Sequence, residues 1–299
     1  SSPRQGRADL AAMGLPFLSR LLLLSLAAAV AVGGQEAAEA PEPTCSSEAC
    51  QGAGATEESC CPSGSWPALK PPDDYTPRGK EDRIDDLPIY YVGIPGPKAV
   101  IVLPEVFGWA GRLKGICDTL ADEGFFVVMP DCHRGDTVAG KPDSVEWIGA
   151  TPYSSVVGPD IQRLMGWLEA KGATSVGAMG FCWGVWALAK ASASGVPLKC
   201  GVGAHPSTRL ETIAFGGNEL EMMQQVQMPI LLMPAGNDSP DIKPGGAVAD
   251  AAVARGGTVR EFPRMQHGWV SRGDLRDPAV KADVEAAMAL AAAHLNGCL

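Results

Sequence analysis

The sequence predicts a single α/β domain with a mostly parallel, doubly wound sheet and helices on both of its faces. From about residue 86 onward, short apolar runs alternate with amphipathic runs of helical period. Solid apolar strands of this kind are buried on both sides, as in a parallel sheet covered by helices. Aromatic residues make up only 6% of the chain, a balance that favours helices on a sheet over a β-sandwich.

Seven apolar runs have the length and composition of strands. They lie at residues 89–94, 99–103, 125–129, 175–179, 199–204, 229–233 and 258–262. The intervening runs carry an apolar face at helical spacing and predict helices. These lie at about residues 110–123, 158–171, 182–193, 217–226, 246–255 and 278–295. The regular part, residues 86–299, has the size of one domain.

The first 34 residues predict a signal peptide behind a short upstream extension. Met13 is a natural start, Arg20 is basic, and an apolar run at residues 21–32 precedes Gly33 and Gly34. This order of features describes a secretory signal, whereas a membrane span needs about 20 apolar residues. We therefore expect a protein of the secretory pathway, secreted or sent to an organelle by that route, with no stable membrane span after processing.

Residues 35–85 predict a poorly ordered linker and lead-in, because turn formers and charges occur there without a sustained hydrophobic period. The linker holds Cys45, Cys50, Cys60 and Cys61. After a signal peptide these cysteines could form two disulfides, and the sequence leaves three pairings open. A linker with free thiols is the alternative. A zinc site is not expected, because the spacing is irregular and no histidine lies nearby.

The charge of the chain excludes one class of partner. The sequence has 34 acidic and 24 basic residues, a net charge of −10. A net-negative chain is a poor binder of phosphate backbones, so no nucleic acid partner is expected. The sequence shows neither a nucleotide-binding glycine fingerprint nor a convincing metal cluster, and we expect no cofactor and no metal.

The strongest chemical signal is the segment Gly180-Phe181-Cys182-Trp183-Gly184, which lies between a predicted strand and a predicted helix. This G-x-C-x-G pattern is a nucleophile elbow with cysteine in place of serine. The nucleophile of an elbow sits on a sharp, strained turn, where larger flanking residues would collide with the strand and the helix. The helix onset also favours a thiolate. Cys182 is therefore the predicted nucleophile.

Histidine and aspartate candidates follow later strands, at the edge of the sheet where ligands bind. His267 follows the last strand and is the predicted base, in the chain order nucleophile, acid, histidine. Asp238 follows the strand at 229–233 and would hold the imidazole in the correct tautomer. Asp241, three residues further on, is the alternative. His205 is expected to line the pocket and to contact substrate.

The loop after the strand at 99–103 contains Glu105, Val106 and Phe107. In folds with a nucleophile elbow this loop supplies one oxyanion donor. The predicted oxyanion hole consists of the backbone N–H groups of Trp183 and Val106, and Phe107 is expected at the substrate. A carboxylate such as Glu105 repels a neighbouring thiolate unless it is protonated or paired.

Six segments, in this order along the chain, resemble the dienelactone hydrolase (carboxymethylenebutenolidase) family. They are VIVLPEVFGW, VVMPDCHRGD, GFCWG, AHPS, AGND and QHGW. The resemblance covers about residues 86–297, and cysteine at the elbow makes it specific. The segment CCPSGSW at residues 60–66 also looks like the start of eukaryotic members. The resemblance implies an α/β-hydrolase fold and a hydrolase of small-molecule lactones or activated esters.

The resemblance also implies roles for particular residues. Cys182, Asp238 and His267 would form the triad, reacting through a thioester, and Glu105 would switch the cysteine between a protected thiol and a thiolate. Substrate carboxylates would be received by two arginines, Arg134 and Arg272. We expect a monomer or weak homodimer. The exported N-terminus and the run Cys132-His133-Arg134 depart from the family pattern and leave the natural substrate open.

Of three competing interpretations, two fit the residues poorly. A class I glutamine amidotransferase also has cysteine on such a turn, but it needs a glutamate two residues after the histidine, where Trp269 stands. A serine esterase is excluded at the elbow itself. The alternative from a different class is a non-catalytic protein of the same fold that binds a small hydrophobic acid. Thiol reactivity of Cys182 would separate this protein from a hydrolase.

Overall fold

The computed structural model describes residues 60–70 and 75–299. The eight strands are β1 Lys80–Ile84, β2 Leu87–Val92, β3 Lys98–Leu103, β4 Phe126–Pro130, β5 Ser175–Cys182, β6 Gly201–Pro206, β7 Ile230–Met233 and β8 Thr258–Val259. They form one sheet in the order β1-β2-β4-β3-β5-β6-β7-β8. The pairs β1–β2 and β2–β4 are antiparallel and all other neighbours are parallel. The predicted mostly parallel sheet is confirmed.

Helices cover both faces of the sheet. They are α1 Leu113–Asp122, α2 Ser144–Gly149, α3 Gly158–Ala170, α4 Trp183–Ala193, α5 Leu210–Ile213, α6 Glu219–Gln225, α7 Ala247–Ala254, α8 Trp269–Arg272 and α9 Pro278–Cys298. Buried side chains of α3, α4, α6 and α7 share one apolar cluster, and those of α1, α8 and α9 share a second. Along β5, Val176 and Ala178 belong to the first cluster, while Met179 and Phe181 belong to the second. Among the described residues, no helix is long and apolar enough to cross a membrane.

All seven predicted strands and all six predicted helices are present, with their ends moved by a few residues. The largest difference is at the last strand, predicted to continue to residue 262. Strand β8 ends at Val259, and Phe262 forms only an isolated bridge with Ala235. The hydrogen-bond ladder between β7 and β8 is interrupted at Pro234, because proline has no backbone N–H to donate to the neighbouring strand.

The domain begins earlier than predicted. Strand β1 lies within residues 35–85, which were predicted to be a poorly ordered linker and lead-in, and it pairs with β2 at the edge of the sheet. Its sequence KEDRI is exposed except for the half-buried Ile84. An edge strand of charged residues carries no apolar alternation, so the pattern that predicts strands gives no signal here.

Residues 60–70 also pack on the domain, in contrast to the predicted linker. The N–H of Trp66 donates to the carbonyl of His267 at 2.9 Å, and the N–H of Gly111 donates to the carbonyl of Leu69 at 2.7 Å. The predicted signal peptide lies outside the described residues. Residues 60–70 therefore reach the edge of the sheet where the candidate site lies.

Among the described residues, five cysteines are free thiols and two form a disulfide. Cys60 and Cys61 are free thiols, and Cys45 and Cys50 lie outside the described residues. Cys200 and Cys298 form a disulfide that the sequence analysis did not predict. This bond joins the start of β6 to the end of α9, across 98 residues of sequence.

Candidate active site

Cys182 is the last residue of β5, and α4 begins at the next residue. Its φ angle is +52°, a strained value for a residue other than glycine. A Cβ atom at Gly180 would collide with the carbonyl oxygen of Gly184, and one at Gly184 would collide with that of Leu103. The strand, the turn and both glycines therefore have the geometry predicted for a nucleophile elbow.

His267 and Asp238 meet beyond the ends of β8 and β7. Asp238 Oδ1 lies 2.6 Å from His267 Nδ1, and both side chains are buried. The other carboxylate oxygen, Oδ2, accepts a hydrogen bond from the N–H of Ala235 at 2.7 Å. Asn237 Oδ1 accepts the backbone N–H of His267 at 2.7 Å. Asp241 is exposed in the following 3-10 turn, so the carboxylate that contacts the histidine is Asp238.

The Cys182 thiol is completely buried and is surrounded by polar groups. Ser207 Oγ lies 3.3 Å from its sulfur, and Cys61 Sγ lies 3.8 Å from it. The sulfurs of Cys61 and Cys182 and a ring nitrogen of His267 all lie within 4.8 Å of one another. Among the described residues, His267 Nε2 has no hydrogen-bond partner. The imidazole is thus close to the sulfur and held by Asp238 on its other side.

These contacts favour an ion pair between a thiolate and an imidazolium. The pKa of Cys182 is lowered well below its ordinary value, first by the hydrogen bond from Cys61 and then by His267 and Ser207, against the opposing effect of burial. Burial lowers the pKa of His267, but the charges of Asp238 and of the thiolate outweigh it and raise the pKa to about 10. The pKa of Cys61 is raised by the same contact that stabilises Cys182 as a thiolate.

Glu105 and Arg272 form a buried ion pair in the same region. Arg272 Nε lies 2.7 Å from Glu105 Oε2, without the alignment of a hydrogen bond. Burial raises the pKa of Glu105, the charge of Arg272 lowers it and that of Cys182 raises it. The guanidinium also lies 4.8 Å from the centre of the Phe107 ring. Pairing with Arg272 offsets the repulsion that sequence reasoning expected between Glu105 and the thiolate.

The backbone groups predicted as an oxyanion hole flank the elbow. Trp183 is the first residue of α4, where a backbone N–H has no acceptor within the helix. Val106 is buried in the turn after β3, between Glu105 and Gly108, which pair in an isolated bridge. Their role as oxyanion donors stays a prediction.

Two further predicted residues, His205 and Arg134, are in contact with other side chains of the protein. His205 is buried with a φ of +39°, and its ring meets that of His267 edge to face at 5.0 Å between centroids. Burial, followed by the charge of His267, holds the pKa of His205 well below its ordinary value. Arg134 is committed to ion pairs with Asp86 and Asp160. A substrate carboxylate would compete there with two carboxylates of the protein.

Sequence reasoning missed two contributors to the site. Ser207 contacts the sulfur of Cys182 directly, and Cys61 reaches it from a segment that is 121 residues away in sequence. The segment CCPSGSW, which contains Cys61, resembles the start of eukaryotic family members, but its sequence does not indicate which part of the domain it contacts. Ser207 lies two residues after His205 in AHPS, and nothing in that segment indicates that its hydroxyl contacts Cys182.

Two groups of side chains among the described residues have the composition of metal ligands. One consists of Cys61, Cys182 and His267, whose sulfur and nitrogen donors suit a soft cation. The other consists of Cys200, His294 and Cys298, but its two cysteines are joined in the disulfide. Nucleophilic attack by a cysteine thiolate needs no metal at either place.

The fold and the elbow together define a protein of the α/β-hydrolase class. The model of the dienelactone hydrolase family matches residues 89–296. The chain therefore belongs to the dienelactone hydrolase family, and the predicted family and fold are confirmed.

Curated relatives match the chain over different lengths. An uncharacterised AIM2 family protein of Schizosaccharomyces pombe is 28% identical over 74% of this chain and 91% of its own length. A carboxymethylenebutenolidase homologue of Rattus norvegicus is 23% identical over 56% of this chain and 67% of its own. An endo-1,3;1,4-beta-D-glucanase of Zea mays is 37% identical over 29% of this chain, and this match spans only 28% of the maize protein.

Solved structures show the same fold. The Pyrococcus furiosus esterase Pf2001 superposes with a TM-score of 0.53 and 15% identity, covering 77% of this chain and 99% of the esterase. A dienelactone hydrolase-like promiscuous phosphotriesterase, P91, from metagenomic libraries gives a TM-score of 0.50 and 21% identity, covering 78% of this chain and 99% of that protein. At these identities the likeness concerns the fold alone.

Proposed function

We propose that this chain hydrolyses lactones or activated carboxylic esters, with Cys182 as the nucleophile and a thioester as the intermediate. The observation that carries the proposal is the line of contacts from Cys182 through His267 to Asp238 at a nucleophile elbow. A protein that only binds a ligand has no use for a buried thiolate beside an oriented imidazolium. Membership of a hydrolase family supports the same chemistry.

In the first half-reaction, the thiolate of Cys182 forms a bond to the carbonyl carbon. The backbone N–H groups of Trp183 and Val106 stabilise the charge that develops on the carbonyl oxygen. The carbon–oxygen bond to the leaving group then breaks, and its electron pair leaves as an enolate or another stabilised oxyanion. The imidazolium of His267 gives this oxygen a proton.

In the second half-reaction, water attacks the thioester. His267, now neutral, takes a proton from the water, and the carbon–sulfur bond breaks to release the carboxylic acid and restore the thiolate. Asp238 holds the imidazole and stabilises its charged form in both halves. A thiolate prefers esters with stabilised leaving groups, which favours enol lactones and aryl esters over amides.

A carboxylate on the substrate would meet Arg272 rather than Arg134. Arg272 is buried close enough to Cys182 for the two charges to interact. It pairs through Nε with one carboxylate, that of Glu105, and within the described residues its Nη2 has no hydrogen-bond partner. Arg134 is already neutralised by Asp86 and Asp160. We therefore propose Arg272 as the principal anion anchor and assign Arg134 to the structure of its own loop.

Substrate reaches Cys182 only after a local rearrangement. The sulfur is covered by Cys61, and the carbonyl of Cys60 accepts a hydrogen bond from Ser207 at 3.3 Å. The covered nucleophile is the observation that favours the second candidate function, a non-catalytic binding protein. Hydrolysis requires that residues 60–66 move aside or that the Cys61 side chain rotates.

The test is hydrolysis by the purified chain, compared with Cys182→Ala, on a dienelactone and on a simple aryl ester. Loss of lactone hydrolysis in the alanine variant supports the proposal. Hydrolysis of the aryl ester alone supports Cys182 as the nucleophile but indicates a substrate class other than dienelactones. Equal activity in both proteins, or none in the wild type, contradicts the proposal and favours the binding protein.

We also propose export through the predicted signal peptide. The disulfide between Cys200 and Cys298 supports this, because such bonds persist mainly in oxidising compartments. The test is the localisation of the chain with a C-terminal fluorescent fusion, with and without residues 13–34. Unchanged localisation after the deletion would contradict export by this route.

A further inference from the structure

Three thiols lie in a row at the candidate site, and the proposed hydrolysis uses only one of them. Cys60 Sγ lies 3.6 Å from Cys61 Sγ, which lies 3.8 Å from Cys182 Sγ. Of the five free cysteines in the described part of the chain, Cys61 is the one whose sulfur contacts that of Cys182. It is half-buried, whereas Cys60 and Cys182 are buried.

The segment that carries Cys61 is held against the domain on both sides of that residue. On one side, Cys60 donates its N–H to Ser144 Oγ at 3.3 Å and accepts a hydrogen bond from Ser207 at its carbonyl. On the other, Asn237 Nδ2 donates to the carbonyl of Ser63 at 3.0 Å. The backbone on both sides of Cys61 is therefore held against the domain beside Cys182.

The distance between the two sulfurs is short enough for a bond to form by a small movement. Disulfide sulfurs lie about 2.05 Å apart, so the pair at 3.8 Å must close by a distance that side-chain rotation can supply. Oxidation-sensitive cysteines combine a stabilised thiolate with a second, resolving cysteine nearby. The stabilised thiolate and the neighbouring thiol are both present here. Cys182 itself is buried, so a hydroperoxide reaches it through the same movement of residues 60–66 or of the Cys61 side chain that a substrate requires.

We propose that Cys61 is the resolving thiol of Cys182, so that the site reduces a hydroperoxide and stores the oxidation as a Cys61–Cys182 disulfide. In the first step the Cys182 thiolate attacks one peroxide oxygen and the oxygen–oxygen bond breaks. The imidazolium of His267 gives a proton to the departing oxygen, and the products are a sulfenic acid at Cys182 and water or an alcohol. In the second step the Cys61 sulfur attacks the Cys182 sulfur. The sulfur–oxygen bond breaks, and the hydroxyl group leaves as water with the proton of Cys61.

The balance of the two steps is one hydroperoxide reduced by two electrons and two thiols oxidised to one disulfide. An external dithiol reduces the disulfide and restores both thiols. The disulfide occupies the nucleophile, so hydrolysis stops while it exists. It also protects Cys182 from the irreversible sulfinic and sulfonic states. This inference shares the Cys182 thiolate with the proposed function but does not require that Cys182 hydrolyses esters.

The test starts from the reduced full-length chain, freed of reductant and treated with hydrogen peroxide. Peptide mapping by mass spectrometry then follows the cysteines before and after dithiothreitol. In the wild type we expect a peptide that joins Cys61 to Cys182, lighter by two hydrogens than the two parts together. Dithiothreitol separates the two parts and restores the reduced Cys182.

The decisive variant is Cys61→Ser, with Cys60→Ser as the matched control from the same segment. In Cys61→Ser we expect Cys182 to carry two or three oxygens that dithiothreitol does not remove, in about 10-fold greater yield than in the wild type. The Cys60→Ser chain forms the Cys61–Cys182 disulfide. Because every readout is a mass, the result does not depend on whether the chain hydrolyses an ester.

Two results would overturn the proposal. One is a wild-type chain in which peroxide gives irreversibly oxidised Cys182 and no peptide joined to Cys61. The other is a Cys61→Ser chain from which dithiothreitol recovers reduced Cys182 as completely as from the wild type. A circular dichroism spectrum and an unfolding midpoint close to those of the wild type show that the variant is folded, so that its oxidation can be compared with that of the wild type.

Discussion

Arg272 Nε lies 2.7 Å from Glu105 Oε2, and both side chains are almost completely buried. Because neither side chain has access to water, each charge depends on the other for its stabilisation. Glu105 follows β3 and Arg272 ends α8, so the pair also joins two distant parts of the chain at the edge of the sheet that carries Cys182. Removing one partner leaves an uncompensated buried charge at the site.

We therefore expect Arg272→Ala to lower the free energy of unfolding by about 3–5 kcal/mol, as when one partner of a buried pair is lost. Arg276→Ala is the matched control, because Arg276 is 92% exposed and its pair with Asp274 is solvated. Its effect should stay within about 0.5 kcal/mol. Urea unfolding measures both. Equal effects of the two substitutions would show that the buried pair contributes no more than a surface pair.

The ion pair between Cys182 and His267 predicts an unusual pH dependence of alkylation. The pKa of Cys182 is lowered by Cys61, His267 and Ser207, so the thiolate persists as the pH falls and disappears only below that depressed pKa. An ordinary thiol loses reactivity roughly 10-fold for each pH unit below its pKa of about 8.5. The rate of modification of Cys182 by iodoacetamide should change less than about 3-fold between pH 8 and pH 6.

The matched variant for this experiment is His267→Ala. It removes the positive charge next to the sulfur, and the pH dependence of alkylation should become steeper. In the wild type the charge of His267 lasts until the pH rises through about 10, because its pKa is raised to that value. A wild-type rate that falls as steeply as that of a free thiol would contradict the ion pair.

Asp238 and Asp241 offer a direct comparison of two neighbouring carboxylates. Asp238 contacts His267 Nδ1, whereas Asp241 is exposed. Asp238→Asn should lower kcat on an aryl ester by a factor on the order of 10³–10⁴, because the amide favours the wrong tautomer of the imidazole. Asp241→Asn should change kcat by less than about 2-fold, since a surface substitution leaves the imidazole in place. The reverse order of effects would reassign the orienting acid.

The elbow predicts opposite effects for two glycines. At Gly184 a Cβ would collide with backbone atoms of Leu103 and Pro104, whereas at Gly166, exposed in α3, nothing lies within 4 Å. Gly184→Ala should therefore destabilise the fold strongly. Gly166→Ala should stabilise it by about 0.5–1 kcal/mol, as alanine does in a helix. Thermal unfolding distinguishes the two, and a neutral Gly184→Ala would show that the elbow has room for a side chain at this position.

The alternation of apolar and amphipathic runs after residue 86 predicts the sheet, because buried parallel strands and amphipathic helices have different hydrophobic periods. The elbow was predictable for a local reason. The two glycines and the cysteine lie within five residues, and their collisions involve the adjacent strand and helix. Strand β1 was not predictable in this way, because its charged side chains leave no apolar pattern.

The rest of the candidate site depends on contacts between residues far apart in sequence. Nothing near Glu105 indicates that its partner is Arg272, and nothing near Cys61 indicates that its segment lies on Cys182. The pairing of Cys200 with Cys298 is of the same kind, since it spans 98 residues. Such contacts follow from how the loops pack at one edge of the sheet, which periodicity does not encode.

The most direct test of the central claim, that Cys182 is the nucleophile, is to trap the covalent intermediate. The chain is mixed with an aryl ester, quenched in acid after a short time and digested for mass spectrometry. If Cys182 is the nucleophile, we expect an acyl group on the peptide that contains Cys182, released by neutral hydroxylamine as a thioester would be and absent in Cys182→Ala. This role of Cys182 would be contradicted if ester hydrolysis continues in Cys182→Ala and no acyl group is found on Cys182 in the wild type.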